Sequence, residues 1–525
     1  AEYSILLYKN NQKKSANKIF MSLMSKKNYQ NAAQTIFNTA KYYGLDKELS
    51  GIIKYLREIR GTERLLAENY CNYLITKQQY QELLKESIRI LNYPETSRTD
   101  FFPDILFQIP SDSPFFTKLI VNIAQEDTTL NKIYFTSEIY LYQGELENSV
   151  HSLLLMSKWK HSFKLQLTVL DKMKKQKYFD SAIKASEIIL HQLEDVNDIE
   201  KLSMMLASIY EKAFRSSADN LQIIPSSWPS SIIRPEYKSY DIDLYPYIEK
   251  ALSIYDSLLN SSNNVKLKIE ILNHSADIYK LIFNDFDKSL NFMEQALLLS
   301  NKETKRPLIT NISNIYLAKG DITNMEILLK TAAEKYHLKA KEEDELLIDM
   351  IKMTFFFSTD DSLNSMIYST LALLGEGHET YNDLLHFLYF YEFLKEDSTN
   401  FQACVDAELF IQQNKYSEAI AIYYLVLSNS ATLKDIAADR ILQLIRLRKN
   451  DISEREENFW GIFSKFDPSK FTDPLYFDIK LAEYYLFEKN DKEKGFQILE
   501  SLLLNHPDAS RTQEIRPFLR SLSPN

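Results

Sequence analysis

Glycine is scarce in this chain, at 9 of 525 residues, and proline, at 14, is little commoner. A sheet protein of this length needs many tight turns built on those two residues. The deficit therefore argues against all-β architectures and favours long helices broken by Asn, Asp, Ser and Lys. Cysteine is nearly absent: Cys71 and Cys404 stand far apart, with no CxxC or Cys/His spacing, so neither a disulfide framework nor a zinc site is indicated. No apolar run reaches the ~18 residues of a membrane-spanning helix. The phosphate-loop, dinucleotide, metalloprotease and calcium-loop motifs are all missing. The one glycine cluster, Gly375-Glu376-Gly377-His378, follows a helical run and reads as a helix C-cap and turn. The eight histidines are scattered singly. Carboxylate pairs read as solvated helix faces, none in an apolar context that would raise a pKa. The chain thus reads as a non-enzyme, with no cofactor and no metal.

What is abundant is helix-forming and apolar material: 45% hydrophobic residues, 26% charged residues and 33 tyrosines. The net charge of −10 is unevenly spread. Residues 1–93 hold 15 Lys and Arg against 8 Asp and Glu, a surplus of +7, which leaves −17 for the remainder. That balance argues against general nucleic-acid binding, which wants a basic surface, and permits head-to-tail charge complementarity between copies of the chain. The first residue is Ala, consistent with a removed signal peptide and export or with a chosen start; a cytoplasmic location stays equally open.

The stretch Ile271 to Tyr336 reads as one helical hairpin written twice. Ile312, Ile315 and Tyr316 recur at helical spacing, Gly320-Asp321 breaks the run, and Met325, Leu328, Leu329 and Ala332 resume it. One copy earlier stand Ile278, Tyr279 and Ile282, the break Asn284-Asp285, then Phe286, Ser289, Met293 and Ala296. Ser289 and Met325 are 36 residues apart, a repeat-protein spacing. Further copies carry Tyr29, Ala32 and Ile36; Tyr80, Leu83 and Ser87; Leu146, Ser149 and Leu153; Phe179, Ala182 and Ser186; Ile248, Ala251 and Tyr255; Tyr416, Ala419 and Tyr423; and Gly495, Leu499 and Leu502. The small residue is expected where the second helix of each hairpin crosses the first most closely.

The pattern Tyr or Phe, two residues, Ala or Ser, three residues, a bulky residue, two residues, an apolar residue, sometimes closed by Pro, is similar to the tetratricopeptide repeat. Gly320 to Ala332, Tyr416 to Val426 and Lys492 to Pro507 carry the resemblance most clearly. The chain departs from that family in the first helix, where the early large aromatic is usually absent and Ala, Ser or Cys replaces glycine. The fold expected is an all-α, right-handed superhelical solenoid of stacked helical hairpins whose first helices line a concave surface. The divisions expected are 1–93, basic helical repeats; 94–118, a Pro/Phe-rich interruption; 119–213, repeats; 214–247, a Ser/Pro/aromatic insertion; 248–340, the best-formed repeats; 341–400, divergent helical repeats; and 401–525, further repeats with a last capping helix.

The resemblance implies a scaffold or adaptor that takes a partner's peptide or helix on the polar residues of consecutive inner helices. Asn273, Asn311 and Asn314 are the candidates for bonding a partner's main chain, with Tyr279 and Tyr316 as apolar walls. A terminus clamp known in some co-chaperones of that family needs a Lys/Asn/Lys/Arg set over three consecutive repeats, and the spacing places no such set. The insertion offers Trp228 and Tyr237, either packed on the solenoid itself or docking a partner. Arg440 and Arg446 sit on a helix whose basic face is either solvated or holds an acidic partner segment, opposite Ile441, Leu444 and Ile445. A permanent structural subunit of a larger assembly, at a cell envelope if exported, and a regulatory array of a signalling protein are the rival readings.

Overall fold

The computed structural model describes residues 1–92, 101–125, 127–159, 162–216, 232–233, 242–301, 305–336, 338, 340–357, 362–447 and 473–522. The described residues are helical throughout, with no strand among them. They form two compact units, Ala1–Ile209 and Tyr210–Asn525.

The first unit holds α1 (Glu2–Lys9), α2 (Lys13–Met24), α3 (Tyr29–Tyr42), α4 (Leu49–Arg60), α5 (Ala67–Thr76) and α6 (Tyr80–Leu91). It continues through α7 (Phe101–Leu106), α8 (Pro114–Ala124), α9 (Leu130–Tyr142), α10 (Leu146–Leu155), α11 (Phe163–Lys175) and α12 (Phe179–Leu190). The next helix, α13 (Val196–Ser216), carries the boundary between the units.

The second unit holds α14 (Tyr245–Ser261), α15 (Val265–Leu281), α16 (Phe286–Leu299), α17 (Lys305–Lys319), α18 (Ile322–Tyr336), α19 (Ala340–Phe357) and α20 (Ser362–Leu374). Then come α21 (Tyr381–Lys395), α22 (Ser398–Gln412), α23 (Tyr416–Asn429), α24 (Lys434–Leu447), α25 (Pro474–Glu483), α26 (Lys492–Asn505) and α27 (Ser510–Leu522).

Within each unit most helices pack on the next in sequence, and in many cases on the next but one, as α9 does on α10 and α11 and α17 on α18 and α19. That local pattern is the packing of an all-α solenoid of helical hairpins, in which each layer buries its apolar face against its neighbours.

Seven of the helix pairs are closed by one recurring turn. A single residue in the left-handed region ends the first helix, and the residue after it caps the second. Glycine fills that position at Gly144 and Gly320, but Gln78, Lys177, Asn284, Asn414 and Asn490 also adopt it, with φ between 52° and 64°. The shortage of glycine is thus met largely by asparagine, whose short amide tolerates the left-handed region better than most side chains. The capping residue folds its N–H back on the first helix, as Glu145 does to the Tyr140 carbonyl at 2.8 Å and Asp321 to that of Tyr316 at 2.9 Å. Asp285 and Asp491 add side-chain caps on the amides of Lys288 and Lys494, 3.0 and 3.1 Å away.

The small residue of the repeat sits at the crossing. Ser149 Oγ donates to the Ser137 carbonyl at 2.9 Å and Ser137 Oγ returns the bond to Ser149 at 3.0 Å. Ser289 Oγ likewise donates to Ala276 at 2.8 Å. Each hydroxyl is fully buried yet satisfied by the facing backbone, so the close approach carries no desolvation penalty. Ala182, Ala251, Ala419 and Met325 are equally buried. In α3 the register is shifted by one residue: Ala33 is fully buried while Ala32, the residue expected there, is half-buried. Two adjacent alanines leave the helical phase undecided, and the packing of Ile36, Phe37 and Ala40 decides it.

Among the described residues, two prolines inside the expected interruptions stand in the first turn of a helix. Pro114 opens α8 behind the Ser113 cap, and Pro246 stands in the first turn of α14. Arg57 lies 5% exposed against Glu86 at 2.7 Å, so part of the N-terminal basic surplus is internal.

Gly495 gives the direct test of the crossing. A Cβ there would overlap the Leu486 side chain and lie 3.2 Å from the Ala482 carbonyl. Overpacking of this kind costs about 1–3 kcal/mol, against a helix-propensity gain of about 1 kcal/mol on replacing glycine. Gly495→Ala is therefore expected to destabilise the fold by about 1 kcal/mol, read as a lowered denaturant midpoint. A raised midpoint would show that the two helices are not in close contact.

Candidate functional site

In the second unit the first helices α17, α19 and α22 pack side by side. Their ends, with the end of α15, surround a cavity of about 110 Å³. Its polar lining is Lys280 from the last turn of α15, Asn314 from α17, Lys352 from α19, Gln412 at the end of α22 and Asn414 in the following turn. Its apolar lining is Leu281, Phe286, Leu317 and the dipeptide Ile232–Ile233. The left-handed turns help to close it: Asn414 Nδ2 donates to Asn284 Oδ1 at 2.6 Å, and Tyr416 OH donates to Asn414 Oδ1 at 2.8 Å.

The two lysines carry the electrostatics of the cavity. Lys352 Nζ donates to Asn314 Oδ1 at 3.2 Å, and neither ammonium forms an ion pair within 4 Å with a carboxylate of the described residues. Burial holds both below the ordinary lysine pKa. The charge of Lys352 adds to the effect on Lys280, and that of Arg306 to the effect on Lys352, while Asp277 and Asp349 oppose it from a distance. Asp349 itself is engaged, by Thr310 Oγ1 at 2.9 Å and Arg306 at 3.4 Å. Among the described residues, then, two lysines face the cavity without an ion-pair partner, with three amides beside them.

A second polar cluster lies one to two turns back along α15. His274 Nδ1 is 2.8 Å from Glu211 Oε2, which also accepts from Tyr255 OH at 2.9 Å, while Arg215 Nε donates to Glu211 Oε1 at 2.7 Å. The His274 ring stacks on Tyr255 at 5.5 Å. Burial pulls His274 down, but the bond to Glu211 and its charge outweigh this and leave the imidazole above its ordinary value. Burial pushes Glu211 up, and its partners more than reverse the effect, so it lies below the usual carboxylate range.

The expected site residues divide. Asn314 is in the cavity. Asn273 shares the α15 face of Asp277 and Lys280 by helical spacing; the residue is half-buried, and its buried Oδ1 has no hydrogen-bond partner among the described residues. Asn311 is half-buried on α17. Tyr279 does not wall the cavity: it stacks on Phe292 of α16 at 5.6 Å, with Lys288 Nζ 4.9 Å above it. Tyr316 packs half-buried against the core. Arg440 is neither solvated nor open to a partner. It is 0% exposed, paired with Glu408 at 2.5 Å, because α24 is covered on both faces. The Arg446 side chain, Trp228 and Tyr237 lie outside the described residues.

Sequence reading missed Lys280 and Lys352. Together with Asn314 they form a Lys/Asn/Lys set on three consecutive first helices, which the spacing had not placed. It also missed carboxylates whose pKa is raised. Burial lifts Glu138, 1% exposed beside Lys172, and Asp277, where the Glu211 charge adds to the effect. Helix docking creates both environments.

The first unit has a larger hollow of about 230 Å³, lined by Ile123, Ile133 and Tyr140 among others. Its lysine, Lys132, is tied to the Asp127 carbonyl at 2.9 Å. Both cysteines are buried and unpaired. Among the described residues no three His, Cys, Asp or Glu are grouped to hold a metal, and no helix is long and apolar enough to cross a membrane.

No family model matches the chain, and no curated protein does. Ninety solved chains match it in a structure comparison. The apo form of the quorum sensor NprR from B. thuringiensis is 14% identical with a TM-score of 0.31, covering 76% of this chain and 97% of its own. The structure of Naa15/Naa10 bound to HypK-THB is 11% identical with a TM-score of 0.22, covering 99% of this chain and 90% of its own. The TPR domain of P58(IPK) is 13% identical with a TM-score of 0.17, covering 85% and 96%.

The Glu211 cluster predicts a two-sided pH dependence of stability. The lowered Glu211 pKa stabilises the fold above the ordinary glutamate value and loses that contribution as pH falls through the lowered one. The raised His274 pKa stabilises below the ordinary histidine value and loses it as pH rises through the raised one. His274→Gln should remove the loss on the alkaline side, an effect of about 1 kcal/mol after screening of a part-exposed ring. Unfolding midpoints across the titration range of histidine read it. Parallel pH profiles for the two proteins would contradict the pairing.

Proposed function

We propose that the chain is a non-catalytic scaffold that holds a peptide or helix segment of a partner protein against the inner helices of its second unit. An acidic group of that segment is answered by Lys280 and Lys352. The observation that carries the reading is the pair of unneutralised ammonium groups lining one cavity with Asn314, Gln412 and Asn414. A charge held in partial burial without a counter-ion costs stability in the free protein, and an anionic ligand recovers it on binding. The amides supply donors and acceptors for a partner's main chain, and the preformed helices lose little entropy on binding.

This assignment separates recognition from architecture in an experiment. Peptides selected on the intact chain from a displayed random library should carry Asp, Glu or a free terminal carboxylate. Loss of a hydrogen bond to a charged group is worth about 1.5–3 kcal/mol, so Lys280→Met should weaken such peptides about tenfold or more. The same change should leave the melting temperature unchanged or raise it, since it removes an uncompensated charge. Selected peptides without acidic groups, or equal affinity for the variant, would refute the reading. A lysine kept for structure would instead lower the melting temperature when replaced.

A further inference from the structure

Residues 1–45, which span α1 to α3, contain seven lysines, one glutamate and no arginine, a surplus of +6 that leaves −16 for the remainder of the chain. All seven lysines are exposed, and none forms an ion pair with a carboxylate of the described residues. The one acid, Glu2, is occupied: Tyr43 OH donates to its Oε1 at 2.5 Å. Three of the lysines lie instead against aromatic rings, Lys9 Nζ 5.7 Å from the centre of Tyr43, Lys13 Nζ 5.3 Å from that of Tyr8 and Lys41 Nζ 5.3 Å from that of Phe37.

Apolar groups stand on the same surface. Glu2, Leu6 and Lys9 form one stripe of α1 at i, i+4 and i+7. Glu2 and Lys9 both reach Tyr43, so the exposed Leu6 lies between them on the side of α1 nearest the end of α3. Tyr42, whose ring meets that of Tyr43 edge-on at 5.2 Å, is 84% exposed, and Tyr3 on α1 is exposed as well. Tyrosine and aliphatic groups among lysines suit the interfacial layer of a membrane, where ammonium groups meet anionic headgroups while rings and methyl groups leave water. Arginine, whose planar fork suits bidentate contact with nucleic-acid phosphates and guanine, does not occur before Arg57, which is buried. Lysine is a compact charge that needs no such geometry, which fits a fluid layer of headgroups.

We propose that this face of α1 and α3 docks the chain on an anionic lipid surface, a peripheral contact independent of the groove in the second unit. Each lysine close to such a surface strengthens binding about fivefold at physiological salt. The acidic remainder of the chain is repelled by the same surface, so the attraction is confined to this end. Flotation of the full chain with vesicles tests it. Vesicles of equal parts phosphatidylcholine and phosphatidylglycerol should carry the chain, those of phosphatidylcholine alone should not, and added salt should release it. Lys9→Gln, Lys13→Gln and Lys41→Gln together should weaken binding about a hundredfold at an unchanged melting temperature, because the three side chains are exposed. Equal binding to the neutral vesicles, or a triple variant that binds like the parent, would overturn the proposal.

A fluorescent label locates the contact. The native thiols Cys71 and Cys404 are 0% exposed, so Tyr42→Cys takes an environment-sensitive fluorophore selectively. Its emission should shift to the blue on the anionic vesicles, whereas the same label at Leu298→Cys in the second unit should not respond. A silent label at position 42, or an equal shift at position 298, would overturn the proposal. Release of the bound chain by a single-stranded oligonucleotide at a lower phosphate concentration than that of the lipid would overturn it too, reassigning the face to nucleic acid.

Discussion

The structure depends on how closely the two helices of each hairpin can approach. Where Ser149 meets Ser137, Ser289 meets Ala276 and Gly495 meets Ala482, side chains are small enough for backbone and hydroxyl to touch. That contact sets the spacing of the pair, and the spacing sets the angle at which the next hairpin stacks. Met325 and Leu83 are the larger residues that take the same place, each 0% exposed.

The turns translate this packing into a site. Left-handed residues after α15, α17 and α22 let the following helices start within a few residues, so these helix ends come together beside α19 instead of being spread by long loops. Asn284 and Asn414 serve the turns and also bond each other across 130 residues of sequence. Local backbone chemistry and the closure of the cavity are thus the same residues. Two lysines sit where no carboxylate of the described residues comes within ion-pair distance, at an electrostatic cost to the fold.

The hairpins were legible because small, aromatic and bulky residues recur at helical spacing around Asn-Asp and Gly-Asp breaks. Asn314 was legible for the same reason, as a polar residue on a first helix. Lys280 and Lys352 were not: each follows an ordinary amphipathic run, and their separations from Asn314, 34 and 38 residues, straddle the repeat length instead of matching it. Only the side-by-side packing of the first helices brings them to one cavity. Arg440 misled in the opposite sense. Its helix shows a basic face in sequence, and nothing local reveals that Glu408 and the Phe390 ring meet the guanidinium there. Glu138 and Asp277 are raised by helices that dock from elsewhere, which a single stretch of sequence does not record.

The central claim is that partners are met on the inner helices near Asn314 and not on the outer ones. A photo-reactive amino acid placed at position 314 in the full chain, compared with one at Leu298, which is 86% exposed on α16, tests it in the cells that make the protein. A discrete partner adduct from position 314, lost when Lys280 and Lys352 are changed to Gln, is the predicted result. Adducts from position 298 alone would contradict the account and move recognition to the outer surface.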